Sequence, residues 1–332
     1  MNISEKEAAL VRLGQYLTEN SPELNTVKER AFHANGWFIP SFIDQSLSNI
    51  HRYFLSPAPL KEWIATYPRL QEPVTPRKVG IVAAGNIPLV GFQDWLCGFM
   101  SGHHIKMKLS GKDEVLMRHI IEKMEEWYPE IKGQTEILDT LKNCDAYIAT
   151  GSNNSARYFH YYFSKYPHII RHNRTSAAVL TGQETPGDLD ALADDIMLYF
   201  GLGCRNVTKL YVPANYDFQP LLKALEKYNY LLDHHKYKNN YDYNLALLLL
   251  NNAVYITNGL ILLQEATSLF SPLSVLNYGY YADMAQLQQE LSGDDSLQCL
   301  VGKDFTPFGY AQQPSLMDYP DGVDTLHFLL AL

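Results

Sequence analysis

Apolar residues recur at helical spacing through about the first 65 positions, as at Ile43, Leu47, Ile50 and Phe54, and predict a helical N-terminal segment. Ser21-Pro22-Glu23 has the form of a helix start, with proline at the first helical position, and Gly36 supplies a stop. Pro68, Pro73 and Pro76 then break the pattern. From Lys78 onward, short apolar runs alternate with amphipathic stretches. Strands are expected at 79–84, 105–109, 146–149, 177–180 and 207–212. Helices are expected at 89–100, 113–127 with Asp113 as its cap, 155–165, 189–200 and 218–228. This alternation predicts an α/β fold, a parallel sheet covered by helices.

The last third is less regular. Residues 229–244 are polar and rich in Tyr, Asn, Lys and His, and read as a long surface loop or the edge of a helix. His234 and His235 are adjacent there and read as solvated rather than as metal ligands. Residues 254–257 and 260–263 flank Asn258-Gly259, a pair suited to a type I′ hairpin turn. Strands are expected at 273–277 and 297–301, and the apolar tail 324–330 reads as a terminal strand seeking a partner.

Composition narrows the classes. With 46% hydrophobic and 19% charged residues over 332 positions, the chain is a soluble globular protein of one large or two smaller domains. A net charge of −9 argues against a general nucleic-acid binder. The polar N-terminus shows no secretory signal, and the apolar run 245–250 is too short to span a bilayer. Cys97, Cys144, Cys204 and Cys299 lack zinc or redox spacing, so no metal site and a reduced cytoplasmic setting are expected.

Four segments carry candidate chemistry. Gly85-Asn86-Ile87-Pro88 follows a buried strand, where α/β sheets place ligands, and the Asn86 side chain can donate to a developing oxyanion. It reads equally as a turn before a helix. Lys106 and Lys108 share one face of a strand, either a solvated edge or a contact to a cofactor's ribose and phosphate. Thr150-Gly151-Ser152 ends a strand and opens a helix, as an N-cap or a phosphate site. No G-x-G-x-x-G follows a strand, which disfavours an ordinary dinucleotide dehydrogenase. Cys204 lies after Gly201 and Gly203, with Arg205 beside it to favour thiolate, whereas the other three cysteines sit in apolar packing contexts.

In this order the motifs resemble the aldehyde dehydrogenase superfamily and, within it, the LuxC-type acyl-CoA reductases, from about Lys78 to the C-terminus. The resemblance implies an aldehyde-dehydrogenase-like fold of two α/β domains. A helical segment and Rossmann-like cofactor domain would span 1–178, a catalytic domain 179–305, and a returning segment with an oligomerisation strand 306–332. It makes Cys204 the nucleophile and Asn86, between Gly85 and Pro88, the oxyanion donor. Lys108, Ser110, Thr150, Gly151 and Ser152 would contact the cofactor, and Phe270 of Ser268-Leu269-Phe270-Ser271-Pro272 would lie beside its nicotinamide. Pro307-Phe308-Gly309 resembles the segment closing the catalytic domain.

Two departures sharpen this. The family's general-base glutamate stretch reads Arg171-His172-Asn173-Arg174-Thr175-Ser176 here, without a carboxylate, and Ser268 stands where a ribose-binding glutamate is usual. The resemblance therefore implies NADPH- or NADH-dependent reduction of an acyl-CoA, with fatty acyl-CoA as the expected substrate class. His172 would move a proton, and Arg171 and Arg174 would meet CoA or cofactor phosphates. It also implies a homo-oligomer and a partner enzyme supplying acyl groups. The alternatives are an aldehyde-oxidising, CoA-acylating dehydrogenase and a non-catalytic acyl-binding subunit.

Overall fold

The N-terminal periodicity becomes four helices: α1 (Ile3–Thr18), α2 (Pro22–Ala34), α3 (Pro40–Asn49) and α4 (Pro57–Ala65). Asn2 and Glu5 cap α1 reciprocally, and the Ser21 side chain accepts from the Leu24 N–H with Pro22 at the first helical position. The α2 helix ends at Ala34, just before Gly36. The computed structural model describes residues 1–332, which divide into one unit of 1–173 with 314–332 and a second of 174–313.

After these helices the first unit is built on five parallel strands: β1 (Lys78–Val82), β2 (His104–Lys108), β3 (Thr135–Ile137), β4 (Ala146–Thr150) and β5 (His168–Arg171). Helices α5 (Phe92–Ser101), α6 (Val115–Trp127) and α7 (Asn153–Phe163) connect them. The spatial order is β3-β2-β1-β4-β5, so the winding reverses between β1 and β4. Doubly wound sheets bind ligands at that reversal, outside the carboxyl ends of the strands. Strands β3 and β5 escape the sequence pattern because each is short and only partly apolar.

Two details near the reversal differ from expectation. The helix expected at 89–100 begins only at Phe92, because Leu89 adopts a left-handed conformation (φ 59°) that closes a turn. Asp113 does not cap α6. Its carboxylate is buried and accepts from the backbone N–H groups of Leu89 and Val90; burial pushes its pKa up against those two bonds.

The second unit carries β6 (Thr175–Val179), α8 (Pro186–Met197), β7 (Val207–Pro213), α9 (Gln219–Leu225), α10 (His235–Leu250), β8 (Ile256–Thr257), β9 (Leu262–Glu265), β10 (Val275–Tyr281), α11 (Met284–Leu291) and β11 (Leu297–Val301). Its sheet runs β11-β6-β7-β10-β9-β8, parallel except for β8. Residues 229–244, expected as a surface loop or the edge of a helix, lie mostly in helix α10. Its buried face is Tyr237, Tyr241, Asn244 and Leu248, polar-tipped residues that hide a helical stripe from a hydrophobic reading. Those tips bond the Leu260 carbonyl, Thr257 and the Leu273 carbonyl. The β8–β9 hairpin forms, but its loop is four residues long and Asn258 Oδ1 closes it by accepting from Leu260 and Ile261.

The tail is also corrected. Residues 325–330 form helix α12 (Thr325–Leu330), capped by the Asp324 side chain, with Leu326 and Leu329 fully buried. Spacing of three places both leucines on one helical face. The segment returns to the first unit, where Tyr319 accepts from Trp63 Nε1 at 2.7 Å and Asp324 accepts from the Tyr67 hydroxyl at 2.7 Å. A terminal strand extending a neighbouring subunit's sheet is therefore not what this tail forms.

Candidate active site

In the first unit, three of the singled-out segments follow the carboxyl ends of adjacent strands β1, β2 and β4. The 85–90 turn is held on several sides. Ser46 Oγ donates to the Pro88 carbonyl at 2.8 Å, and Asp113 takes the Leu89 and Val90 N–H groups. Gly85 lies so close to Ser110 that a Cβ there would fall 2.5 Å from Ser110 Oγ, so the turns after β1 and β2 touch only because position 85 is glycine. This arrangement leaves Asn86 exposed while its neighbours Gly85 and Pro88 are buried.

Lys108, at the end of β2, is exposed, and Ser110 is half-buried. Thr150 ends β4, and Ser152 caps α7 by accepting from the Ser155 N–H. A Cβ on Gly151 would meet Phe159 and Ser155 at 2.9 Å, so glycine lets α7 pack close to the strand it follows. Exposed Lys108 and Ser152, together with the α7 N-terminus beside the winding reversal, form a donor-rich edge that fits an anionic dinucleotide.

Arg171 does not join that edge. It ends β5, is 2% exposed, and forms a 2.5 Å ion pair with buried Asp94 of α5. It also donates to Thr150 Oγ1 at 3.3 Å and to Thr325 Oγ1 of α12 at 2.8 Å. A guanidinium so engaged is not available to a phosphate, contrary to the expectation for Arg171. His172 is exposed, its ring stacked 5.6 Å from that of His160. Arg174, in the second unit, donates to the Leu297 carbonyl at 3.1 Å and stands 3.9 Å from Asp295.

In the second unit, Cys204 sits half-buried on the connection between α8 and β7. The chain reaches it through three consecutive left-handed residues, Tyr199 (φ 55°), Phe200 (φ 57°) and Gly201 (φ 75°), of which only the last is glycine. Backbone of this kind persists where surrounding contacts over-determine it. Asn206 supplies them. Its Nδ2 donates to the carbonyls of Asp195, Ile196 and Leu198, and its Oδ1 accepts from the Gly203 N–H at 2.8 Å. Ser176 on β6 donates to the Cys204 carbonyl at 3.1 Å and accepts from the Cys299 N–H at 3.2 Å.

Asp195, one turn before the kink, is fully buried and accepts from the Gly309 and Ala311 N–H groups at 2.7 and 3.0 Å. Burial pushes its pKa up to about 7, against the two N–H bonds. The Arg205 guanidinium reaches the Ala311 carbonyl, so the segment after Pro307 is tied to the cysteine loop from two sides. Sequence reading misses Asp195, Asn206 and Ser176. Asp195 alone leaves a trace there, as an acid on the apolar face that carries Leu192 and Ile196.

The other thiols divide differently than expected. Cys97 and Cys144 are buried in packing, and burial pushes both thiols up. Cys299 is half-buried and bonded to Ser176, not simply a packing residue. Phe270 is exposed at the end of a segment whose carbonyls are held by Thr208, Lys209 and Asn277.

A family model described as acyl-CoA reductase (LuxC) matches residues 44–229, more than half of the chain. The chain belongs to the LuxC acyl-CoA reductase family. The match includes Asn86, Lys108, Thr150 and Cys204, and stops short of Phe270. As a LuxC-family member the protein is an oxidoreductase of acyl and aldehyde groups. No curated protein matches it.

Solved structures place this LuxC-family chain on the aldehyde dehydrogenase fold. The Pseudomonas syringae indole-3-acetaldehyde dehydrogenase AldA, determined with NAD+ and IAA, is 13% identical with a TM-score of 0.64 over 87% of this chain and 69% of that one. Aldehyde dehydrogenase 21 of Physcomitrella patens, determined with its product succinate, is 13% identical with a TM-score of 0.67 over 94% and 76%. An NAD+ complex of a Bacillus cereus aldehyde dehydrogenase is 11% identical with a TM-score of 0.63 over 89% and 70%. At such identities the likeness concerns the fold. No helix is long and apolar enough to cross a membrane.

Proposed function

We propose that this protein reduces an acyl-CoA thioester, with a fatty acyl chain as the substrate class, to the aldehyde through an acyl group carried on Cys204. The observation that carries the reading is the mounting of Cys204, half-exposed on a strained loop that Asn206 and Ser176 hold in place. A buried structural thiol needs no such support.

The Cys204 thiolate attacks the thioester carbonyl, and collapse of the tetrahedral adduct expels CoA thiolate, which takes up a proton. The Asn86 side chain and the Cys204 backbone N–H are assigned to the carbonyl oxygen in both tetrahedral states. When bound, NADPH or NADH would supply a hydride to the acyl carbon, and Cys204 would carry the resulting hemithioacetal alkoxide. Return of the carbonyl then releases aldehyde and restores the thiolate. Lys108, Ser110 and the Thr150-Gly151-Ser152 turn are assigned to holding the dinucleotide, and Phe270 to its nicotinamide end. Exposed His172 is the candidate proton carrier, and Arg174 the remaining candidate for a phosphate.

Residues 146–183 contain no Asp or Glu, so the stretch that holds a hydrolytic base in aldehyde-oxidising relatives offers none here. An acyl-cysteine without a base to activate water lasts long enough to be reduced. The test is intact-mass analysis after mixing with acyl-CoA, followed by addition of NADPH or NADH. A stoichiometric adduct and aldehyde are expected from the wild type, and neither from Cys204→Ala, which retains nucleotide binding. Undiminished acyl transfer in Cys204→Ala overturns the mechanism.

A further inference from the structure

The segment 266–270 is held by its carbonyl oxygens. Lys209 Nζ donates to the Ala266 carbonyl, and Thr208 Oγ1 donates to the Leu269 carbonyl at 2.7 Å. Asn277 Nδ2 donates to the Ser268 and Phe270 carbonyls at 3.0 and 3.1 Å. Gln264 Nε2 donates to Asn277 Oδ1 at 3.1 Å, which fixes which way the amide faces. Lys209 on β7 and Asn277 on β10 are direct partners across two central strands of the sheet. Four of five consecutive carbonyls are thus anchored to rigid elements by three side chains.

Lys209 is an unusual anchor. It is 1% exposed, its ammonium bonds the neutral Ala266 carbonyl, the Glu265 carboxylate attracts it through space, and it lies over the Tyr211 ring at 5.3 Å. The bonded pair needs a glycine opposite, since a Cβ at Gly279 would fall 2.9 Å from Nζ. Burying an ammonium on a neutral acceptor is costly, and an apolar residue would fill the same space without that penalty. What the lysine adds is a fixed position for Ala266, and with Asn277 a fixed course for the backbone to Phe270. Position 268, where a carboxylate would hold a ribose directly, is a serine whose hydroxyl turns to the Phe270 carbonyl at 2.9 Å.

We propose that Lys209 and Asn277 are positioning residues for the hydride step, setting the place of Phe270 and so the approach of the reduced nicotinamide to the acyl carbon. Rigid anchoring of this segment takes over the task that direct carboxylate contact performs elsewhere. The proposal rests on the function above, in which Phe270 lies at the nicotinamide end.

The test separates acylation from reduction in the full chain, using Lys209→Met and the near-isosteric Asn277→Asp. Octanoyl-CoA is mixed with enzyme without cofactor, and the Cys204 adduct is followed by intact mass. Pre-acylated enzyme is then mixed with NADPH or NADH over a range of concentrations. Adduct formation at the wild-type rate is expected in both variants, with hydride transfer slowed about 10- to 100-fold or the cofactor KM raised to match. Unchanged reduction in both variants overturns the proposal. Parallel loss of acylation and reduction also overturns it, because the residues then act on the whole unit. Failure of the wild type itself to form an adduct overturns the underlying function, and this inference with it.

Discussion

Arg171 shows how far a residue's type is from its role. Beside His172 and Arg174 it looks like a cation for phosphates, yet α5 and α12 close over it and Asp94 neutralises it. Breaking a buried ion pair by removing one partner leaves the other charged and desolvated, a loss of about 3–5 kcal/mol. Arg171→Met is therefore expected to lower the unfolding free energy by that order in urea titration, while the folded fraction keeps its KM for acyl-CoA. Removing both charges, as in Asp94→Leu with Arg171→Met, recovers part of the loss. A KM effect without a stability effect would restore Arg171 as a ligand. Cys204, by contrast, stands out in the sequence by the glycines around it, whereas Asn206 and Ser176, which hold its loop, are ordinary polar residues until the loop closes around them.

At the scale of elements, the cysteine loop and the 307–313 segment are coupled through Asp195, a carboxylate on the buried face of α8. With its pKa raised from 3.8 to about 7 by burial, the folded protein holds a proton there that the unfolded chain releases. Its contribution to stability is fully present below about pH 4 and is lost as pH rises through about 7. Unfolding free energies measured from pH 4 to 8 are expected to fall more steeply with pH in the wild type than in Asp195→Asn. The difference should level off once the native carboxylate is ionised. Equal slopes would mean that Asp195 is already charged when folded. Elements themselves were legible where apolar spacing is regular, as in α1 to α4 and β1, β2 and β4. They were not where tyrosine and asparagine tips face the core, as in α10, because such residues satisfy hydrogen bonds and bury rings at once.

At the scale of the molecule, the first unit is discontinuous, completed by residues 314–332 after the chain has built the second. The tail enters as a helix on α5, with Leu326 and Leu329 sealed from solvent. Leu326→Ala is expected to destabilise the first unit by about 2–5 kcal/mol. Hydrogen-exchange protection should fall in α5 and β1 while amides of β7 and β10 keep theirs. Uniform loss through 174–313 would show that the two units unfold as one. Sequence alone determined the strand–helix alternation of a parallel sheet and the segments at the ends of β1, β2 and β4, because these follow from local periodicity and from glycine's freedom at tight turns. The tertiary structure decided which charged groups remain available and what the tail becomes. Burial, pairing and helix-on-helix closure depend on residues far apart in the chain: Asp94 with Arg171, Asp195 with Gly309, Lys209 with Ala266.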